Sequence, residues 1–305
     1  MILSVSPNLA IDVTVELDSL TPGAVHRARR VHRQAGGKGV NVARTVSALG
    51  ERVTVMGLAS GTELSERFAD EALTCELVPT EAASRTCTIL LTPDGRATVV
   101  NEPGSRVSDP TPLLERYRER LDEASSVALM GSLQPGLPSR LFAEMVAGAR
   151  ERGLFCVVDT SGDALASAIE AGPSLVIPNR DEAEALLGRA LDTVEACQRA
   201  AEEIRQRGAA LAVVTLGEEG AVLSGPDGMN GRLVRDGDTD MRFGNPTGAG
   251  DAFVGGAVVS RRRGFGVVEM LRFGMACAVA SLSLGYGRLR QRDVRPEEIT
   301  YIPRD

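Results

Sequence analysis

From Pro112 onward, apolar runs of strand length alternate with polar or amphipathic stretches of helix length, and this alternation constrains the fold more than any single motif. A polar helix over residues 113–124 precedes a strand at 127–130, and Ser139 is placed to cap a helix running to Arg152. Strands follow at 155–158 and 175–177. A helix over 194–207 then leads to a strand at 211–216 and a strand pair around 221–234. Repeated βα units call for a largely parallel sheet, because parallel neighbours need a long crossover and a helix covers the sheet face while pairing its own backbone. The turns that follow the strands then gather at one edge, where open α/β sheets bind ligands. Here those turns hold Ser132, Asp159, Asn179 and Gly217.

The N-terminal part carries strands at 2–6 and 52–58 and a helix over 63–73, with two hairpin-like interruptions at about 13–34 and 85–100. The first turns at Pro22-Gly23 and the second at Pro93-Asp94-Gly95. The two interruptions are expected to pair with each other as a small separate sheet. Asn8 and Asp12, just past the first strand, fall near a pocket or form an Asx-turn at the strand exit.

Two glycine-rich turns open helices. Thr247-Gly248-Ala249-Gly250-Asp251 follows Gly244-Asn245-Pro246 and enters a run of small apolar residues at 252–259. Free backbone N–H groups and the helix dipole make such an entry an anion hole suited to phosphate. Taken alone, Asp251 fits two roles equally, a general base beside a bound phosphate or a helix cap. The second turn, Gly36-Gly37-Lys38-Gly39, leads into a helix reaching Leu49 and carries the only lysine of the chain, every other basic side chain being arginine. A compact, flexible point charge rather than a planar fork is what that position calls for. This second turn has neither P-loop nor dinucleotide-fingerprint spacing.

A net charge of −7 and the absence of tryptophan argue against a nucleic-acid surface, and no apolar run is long enough to span a bilayer. The N-terminus lacks the basic start of a signal peptide. Five cysteines without a C-x-x-C pair, and only two histidines, do not make a zinc site; they read as core residues of a reducing, cytoplasmic compartment.

Seven segments, taken in order, resemble the ribokinase-like (PfkB) carbohydrate kinases, most of all their 1-phosphofructokinase and tagatose-6-phosphate kinase branch. They are residues 8–12, 36–44, 131–136, 159–162, 178–182, 215–220 and 247–251. The resemblance spans nearly the whole chain. It implies one kinase domain over 1–305, a three-layer α/β/α sandwich with a mostly parallel sheet, and a small β-sheet lid from about 13–34 and 85–100. It implies that Asp251 is the base and that Gly248, Ala249 and Gly250 are the anion hole. Asn179 and Glu182 would hold Mg2+ through water, and Asn179, Thr215, Gly217 and Gly220 would hold ATP. Asp12, Gly37 and Asn41 would bind sugar hydroxyls, with Lys38, Arg85 and Ser132 holding a phosphate already on the sugar. The expected reaction is ATP-dependent phosphorylation of a phosphorylated ketohexose, first fructose 1-phosphate, with tagatose 6-phosphate or fructose 6-phosphate as alternatives. A free-sugar kinase or a non-catalytic sugar- or nucleotide-binding regulator comes after these. A homodimer through the lid sheet is also implied. Three positions depart from the family pattern: Leu9 stands for proline, Ile177 for lysine, and Pro246 for serine or threonine beside a place where some members bind a monovalent cation.

Overall fold

A computed structural model describes residues 1–80, 83–94, 96–236 and 247–304. Gly95 and the turn Gly244-Asn245-Pro246 lie outside the described residues, and with them the expectations placed there.

The N-terminal part comprises β1 (Ile2–Asn8), β2 (Ala10–Glu16), β3 (Arg30–Gly36), α1 (Lys38–Ala48), β4 (Val53–Ala59), α2 (Glu63–Asp70), β5 (Thr74–Pro79), β6 (Arg85–Leu91) and β7 (Ala97–Asn101). The alternating part continues with α3 (Thr111–Leu121), β8 (Ser126–Met130), α4 (Leu141–Glu151), β9 (Phe155–Asp159), α5 (Gly162–Glu170), β10 (Leu175–Val176), α6 (Arg180–Leu187), α7 (Val194–Gln206) and β11 (Ala212–Thr215). It closes with β12 (Ala221–Ser224), β13 (Asn230–Arg235), α8 (Ala249–Arg262), α9 (Val267–Ser281) and β14 (Ile299–Pro303).

Ten strands form one sheet in the order β14-β13-β12-β11-β10-β9-β8-β1-β4-β5. The pairs from β11 through β5 are parallel, and those from β11 to β14 are antiparallel. Strand residues divide alternately between two cores, as period 2 requires of a sheet buried on both faces. Ala128 and Met130 of β8 pack with residues of α1, α8 and α9, whereas Val127 and Leu129 pack with residues of α3, α4 and α7. The architecture is therefore the expected three-layer sandwich. Chain order reverses about β1, which lies between β8 and β4, so the loops leaving β1 and β8 diverge and open a crevice at the C-terminal edge.

The second sheet has the order β3-β2-β6-β7, and β2 pairs with β6, which joins the two interrupting segments as expected. Its bounds differ from the sequence reading. β2 begins at Ala10 and β3 only at Arg30, with Ala10 opposite Gly36 and Glu16 opposite Arg30. Val25, placed in a strand by its spacing, is 93% exposed. Among the described residues no ladder partner reaches residues 18–28, so alternation there has no strand to pair with. Ser139 is a second correction: α4 starts at Leu141 behind Arg140, without a side-chain cap bond.

Candidate active site

Two cavities meet at the C-terminal edge of the parallel strands. The larger, about 360 Å3, is lined among others by Asp12, Gly37, Asn41, Arg85 and Ser132. The smaller, about 240 Å3, is lined by Asp159, Asn179, Thr215, Ala249 and Gly250. Lys38, Glu182, Gly248 and Asp251 line both. Of the residues given a role by the resemblance, Gly217 and Gly220 fall outside these linings, as does Asn8, which the strand exit had placed near a pocket. The two glycines form the turn after β11, where the Gly220 N–H donates to the Gly217 carbonyl at 3.2 Å.

Asp251 sits in the first turn of α8. The cap position is occupied by Gly248, so Asp251 stands three residues further on, inside the helix, and is not its N-cap. Instead Oδ2 accepts from Asn41 Nδ2 at 2.7 Å. The carboxyl is pushed up to about 7, first by burial, with Asp159 and Asp12 adding to the rise while Lys38 and the Asn41 hydrogen bond oppose it. A buried acid that titrates near neutrality and faces a cavity has the properties of a general base.

Lys38 is the first residue of α1. Its Nζ lies 2.7 Å from Asp159 Oδ1 and 3.6 Å from Glu182 Oε1. Burial works against its charge, yet Asp159, Asp251 and Glu182 together hold its pKa above the ordinary lysine value. Asp159 entered the sequence reading as part of a strand-end turn, without a role; that it pairs with Lys38 could not be read from residues 121 positions apart. Asp12, on β2, is pushed up to about 6 by burial, with Arg44 and Arg85 opposing. Arg85 donates through Nε to the Asn8 carbonyl at 3.2 Å and through Nη1 to the Glu102 carbonyl at 3.1 Å, which fixes its guanidinium at the cavity wall. Ser132 Oγ accepts from Asn8 Nδ2 at 3.0 Å.

Asn179 and Glu182 form a capping box at the start of α6: Glu182 N–H donates to Asn179 Oδ1, and Asn179 N–H to Glu182 Oε2, both at 2.9 Å. The other oxygen of Glu182 faces Lys38. Among the described residues no group of three or more His, Cys, Asp or Glu is arranged to hold a metal ion. The donors at this edge, Glu182, Asp159 and Asn179, are hard oxygens, a set that suits magnesium held through its water shell rather than by a closed protein cage. The start of α8 fits a phosphate group equally well. Gly248 caps it with φ +85°, and a side chain added at Gly250 would meet nothing within 4 Å, so there is room for a bound group beside this helix start.

Gly248 also has no room for a substituent. A Cβ there would stand 2.6 Å from Gly287 N and 2.9 Å from Tyr286 backbone atoms. Gly248→Ala is expected to cost about 2–4 kcal/mol through left-handed strain and overpacking. A denaturant midpoint unchanged from wild type would show that the turn tolerates a side chain.

Its family and its relatives put the protein among the phosphotransferases with an alcohol acceptor. The chain belongs to the pfkB family of carbohydrate kinases, whose model matches residues 5–289. It is 34% identical over 290 residues to the 1-phosphofructokinase of Rhodobacter capsulatus, covering 92% of this chain and 90% of that one. Among solved structures, a possible 1-phosphofructokinase from Thermotoga maritima superposes with a TM-score of 0.89 at 25% identity, covering 100% of this chain and 99% of that one. Phosphofructokinase-2 from Escherichia coli in complex with potassium gives a TM-score of 0.85 at 27% identity, covering 96% of each chain.

Proposed function

We propose that this protein transfers the terminal phosphoryl group of ATP to fructose 1-phosphate, giving fructose 1,6-bisphosphate. The observation that carries the reading is that Asp251 and Lys38 border both cavities, so an acceptor hydroxyl in the larger and a donor phosphate in the smaller meet at one carboxylate. Asp251 takes the proton from the hydroxyl, and the backbone donors of Gly248, Ala249 and Gly250 stabilise charge on the moving phosphoryl group. ATP supplies that group, and magnesium neutralises its phosphates when bound. Glu182 and Asn179 would hold the metal through its water, while Thr215, with the Gly217–Gly220 turn, holds the nucleotide. Asp12, Gly37 and Asn41 bind sugar hydroxyls.

A phosphorylated acceptor is favoured over a free sugar because the larger cavity carries two cations, Lys38 and Arg85, beside Ser132. The 1-phosphofructokinase relative directs the choice to fructose 1-phosphate, ahead of tagatose 6-phosphate and fructose 6-phosphate. The small sheet serves as a lid and as the surface of a homodimer; Val31 and Val100 on it are exposed apolar side chains that a second copy would cover. The potassium complex of the Escherichia coli relative supports a monovalent cation here as well. No helix among the described residues is long and apolar enough to cross a membrane, in keeping with a cytoplasmic enzyme.

The test offers each sugar phosphate, and free fructose and ribose, to purified protein with ATP and magnesium. Fructose 1-phosphate is expected to give the highest kcat/KM. Turnover of free sugars alone would overturn the choice of acceptor, and binding without turnover of any sugar would favour a regulator.

A further inference from the structure

Arg44 belongs to neither cavity, yet it is 5% exposed, and a guanidinium is rarely buried so far unless each donor is used. All three of its nitrogens donate. Nε and Nη2 form a two-pronged bond to the Glu71 carboxylate, each at 2.7 Å. Nη2 also donates to the Ala35 carbonyl at 2.6 Å, and Nη1 donates to Asn41 Oδ1 at 2.7 Å. Glu71 is held in turn by Arg288 Nη2 at 3.1 Å.

The Asn41 contact carries a constraint. A primary amide has an acceptor end and a donor end that differ little in shape, so an asparagine between two partners can sit in either of two orientations. A guanidinium can only donate. With Arg44 on one side, the amide oxygen has to face it, and the NH2 is left facing Asp251, where it donates at 2.7 Å. The reversed amide would set N–H against N–H at Arg44 and oxygen against carboxylate at Asp251.

We propose that Arg44 is a positioning residue for the phosphoryl-transfer reaction: anchored by Glu71, it locks the Asn41 amide in the one orientation that donates to Asp251 and so fixes the carboxylate toward the acceptor. This rests on the reading of Asp251 as base. Losing the amide donor removes one interaction that holds the Asp251 pKa down, leaving burial less opposed. Other charges also face Asp251: Lys38 from α1, Asp159 from β9 and Asp12 from β2. Arg44 acts on Asp12 through its charge as well. Arg44→Lys separates the two effects, since it keeps the positive charge but cannot reach Glu71, Ala35 and Asn41 together.

The experiment measures kcat, KM and the pH dependence of kcat for Arg44→Lys, Arg44→Met and Glu71→Gln, each alone and combined with Asn41→Ala. Thermal melts establish that each variant is folded. Arg44→Lys is expected to lower kcat roughly tenfold or more, as a misplaced catalytic group does, with KM for ATP unchanged. The acid limb of its pH profile should move to higher pH. In the Asn41→Ala background the same substitution should change kcat less than twofold. Equal losses in both backgrounds with an unmoved acid limb would overturn the proposal, because that is what a purely structural residue gives. If both Arg44 variants fail to fold, Glu71→Gln decides. A lowered kcat with a raised acid limb supports the relay, and a wild-type profile overturns it. Wild-type turnover by Asp251→Asn would instead remove the base itself, which distinguishes failure of that reading from failure of this one.

Discussion

Asp251→Asn is expected to lower kcat by about 1,000-fold, within the range a general base supplies, and to make the protein more stable at neutral pH. The loss follows from removing the proton acceptor while leaving Asn41 a hydrogen-bond partner of the same size, so ATP and sugar phosphate should bind with little change. The gain follows from linkage. The folded-state carboxyl titrates at about 7 against an ordinary 3.8. Below about pH 4 the acid is protonated in both states and costs nothing. As pH rises toward 7 the unfolded chain ionises first, so stability falls, and above 7 the penalty is full and constant. The asparagine variant escapes it. Its melting temperature should match wild type near pH 4 and exceed it by a growing margin up to about pH 7, a difference on the order of 2–4 kcal/mol, the attraction of Lys38 being already contained in the folded-state value. Wild-type turnover, or a variant less stable at pH 8, would refute the assignment.

Lys38→Met is expected to lower kcat by about 100-fold and to raise KM for the sugar phosphate by about tenfold, as removing a charged donor from a partly dry site does. Without the ammonium, Asp159, Glu182 and Asp251 face one another with no cation among them, and the Asp251 pKa should rise beyond its wild-type position because Lys38 is what lowers it most. The acid limb of the rate profile then moves upward. A reduced kcat with unchanged KM would confine the ammonium to the moving phosphoryl group. If neither constant changed, the solitary lysine would be a compositional accident.

Much of the fold was legible because it rests on periodicity. Strands buried on both faces and helices of regular length write themselves as apolar runs, and the polar turns between them mark the edge where ligands bind. What escaped lacks that signature. β5 is an edge strand, largely half-exposed, that includes Glu76 and ends in Pro79, so neither alternation nor a continuous apolar run announces it. The span from Asp18 to Ala28 alternates without a strand partner among the described residues, which period alone cannot reveal. For the site, glycine-rich helix starts pointed to Asp251 and Lys38, because backbone geometry there follows from local composition. The connections Lys38–Asp159 and Arg44–Glu71 were invisible for the opposite reason: they join side chains that only the completed fold brings together. In particular, nothing near Glu71 marks it as the anchor of an arginine inside the Gly36–Arg44 motif.

The capping box at Asn179 and Glu182 has a bearing on how such proteins diverge. Both side chains serve the start of α6 whether or not a metal is ever bound, so selection for folding alone would preserve them in a descendant that had lost its chemistry. Asp251 is the reverse case, a group that weakens the fold and repays nothing unless a reaction is being run. In a lineage released from catalysis, the first pair would persist and the aspartate would drift. The destabilising residue is therefore the better witness to activity.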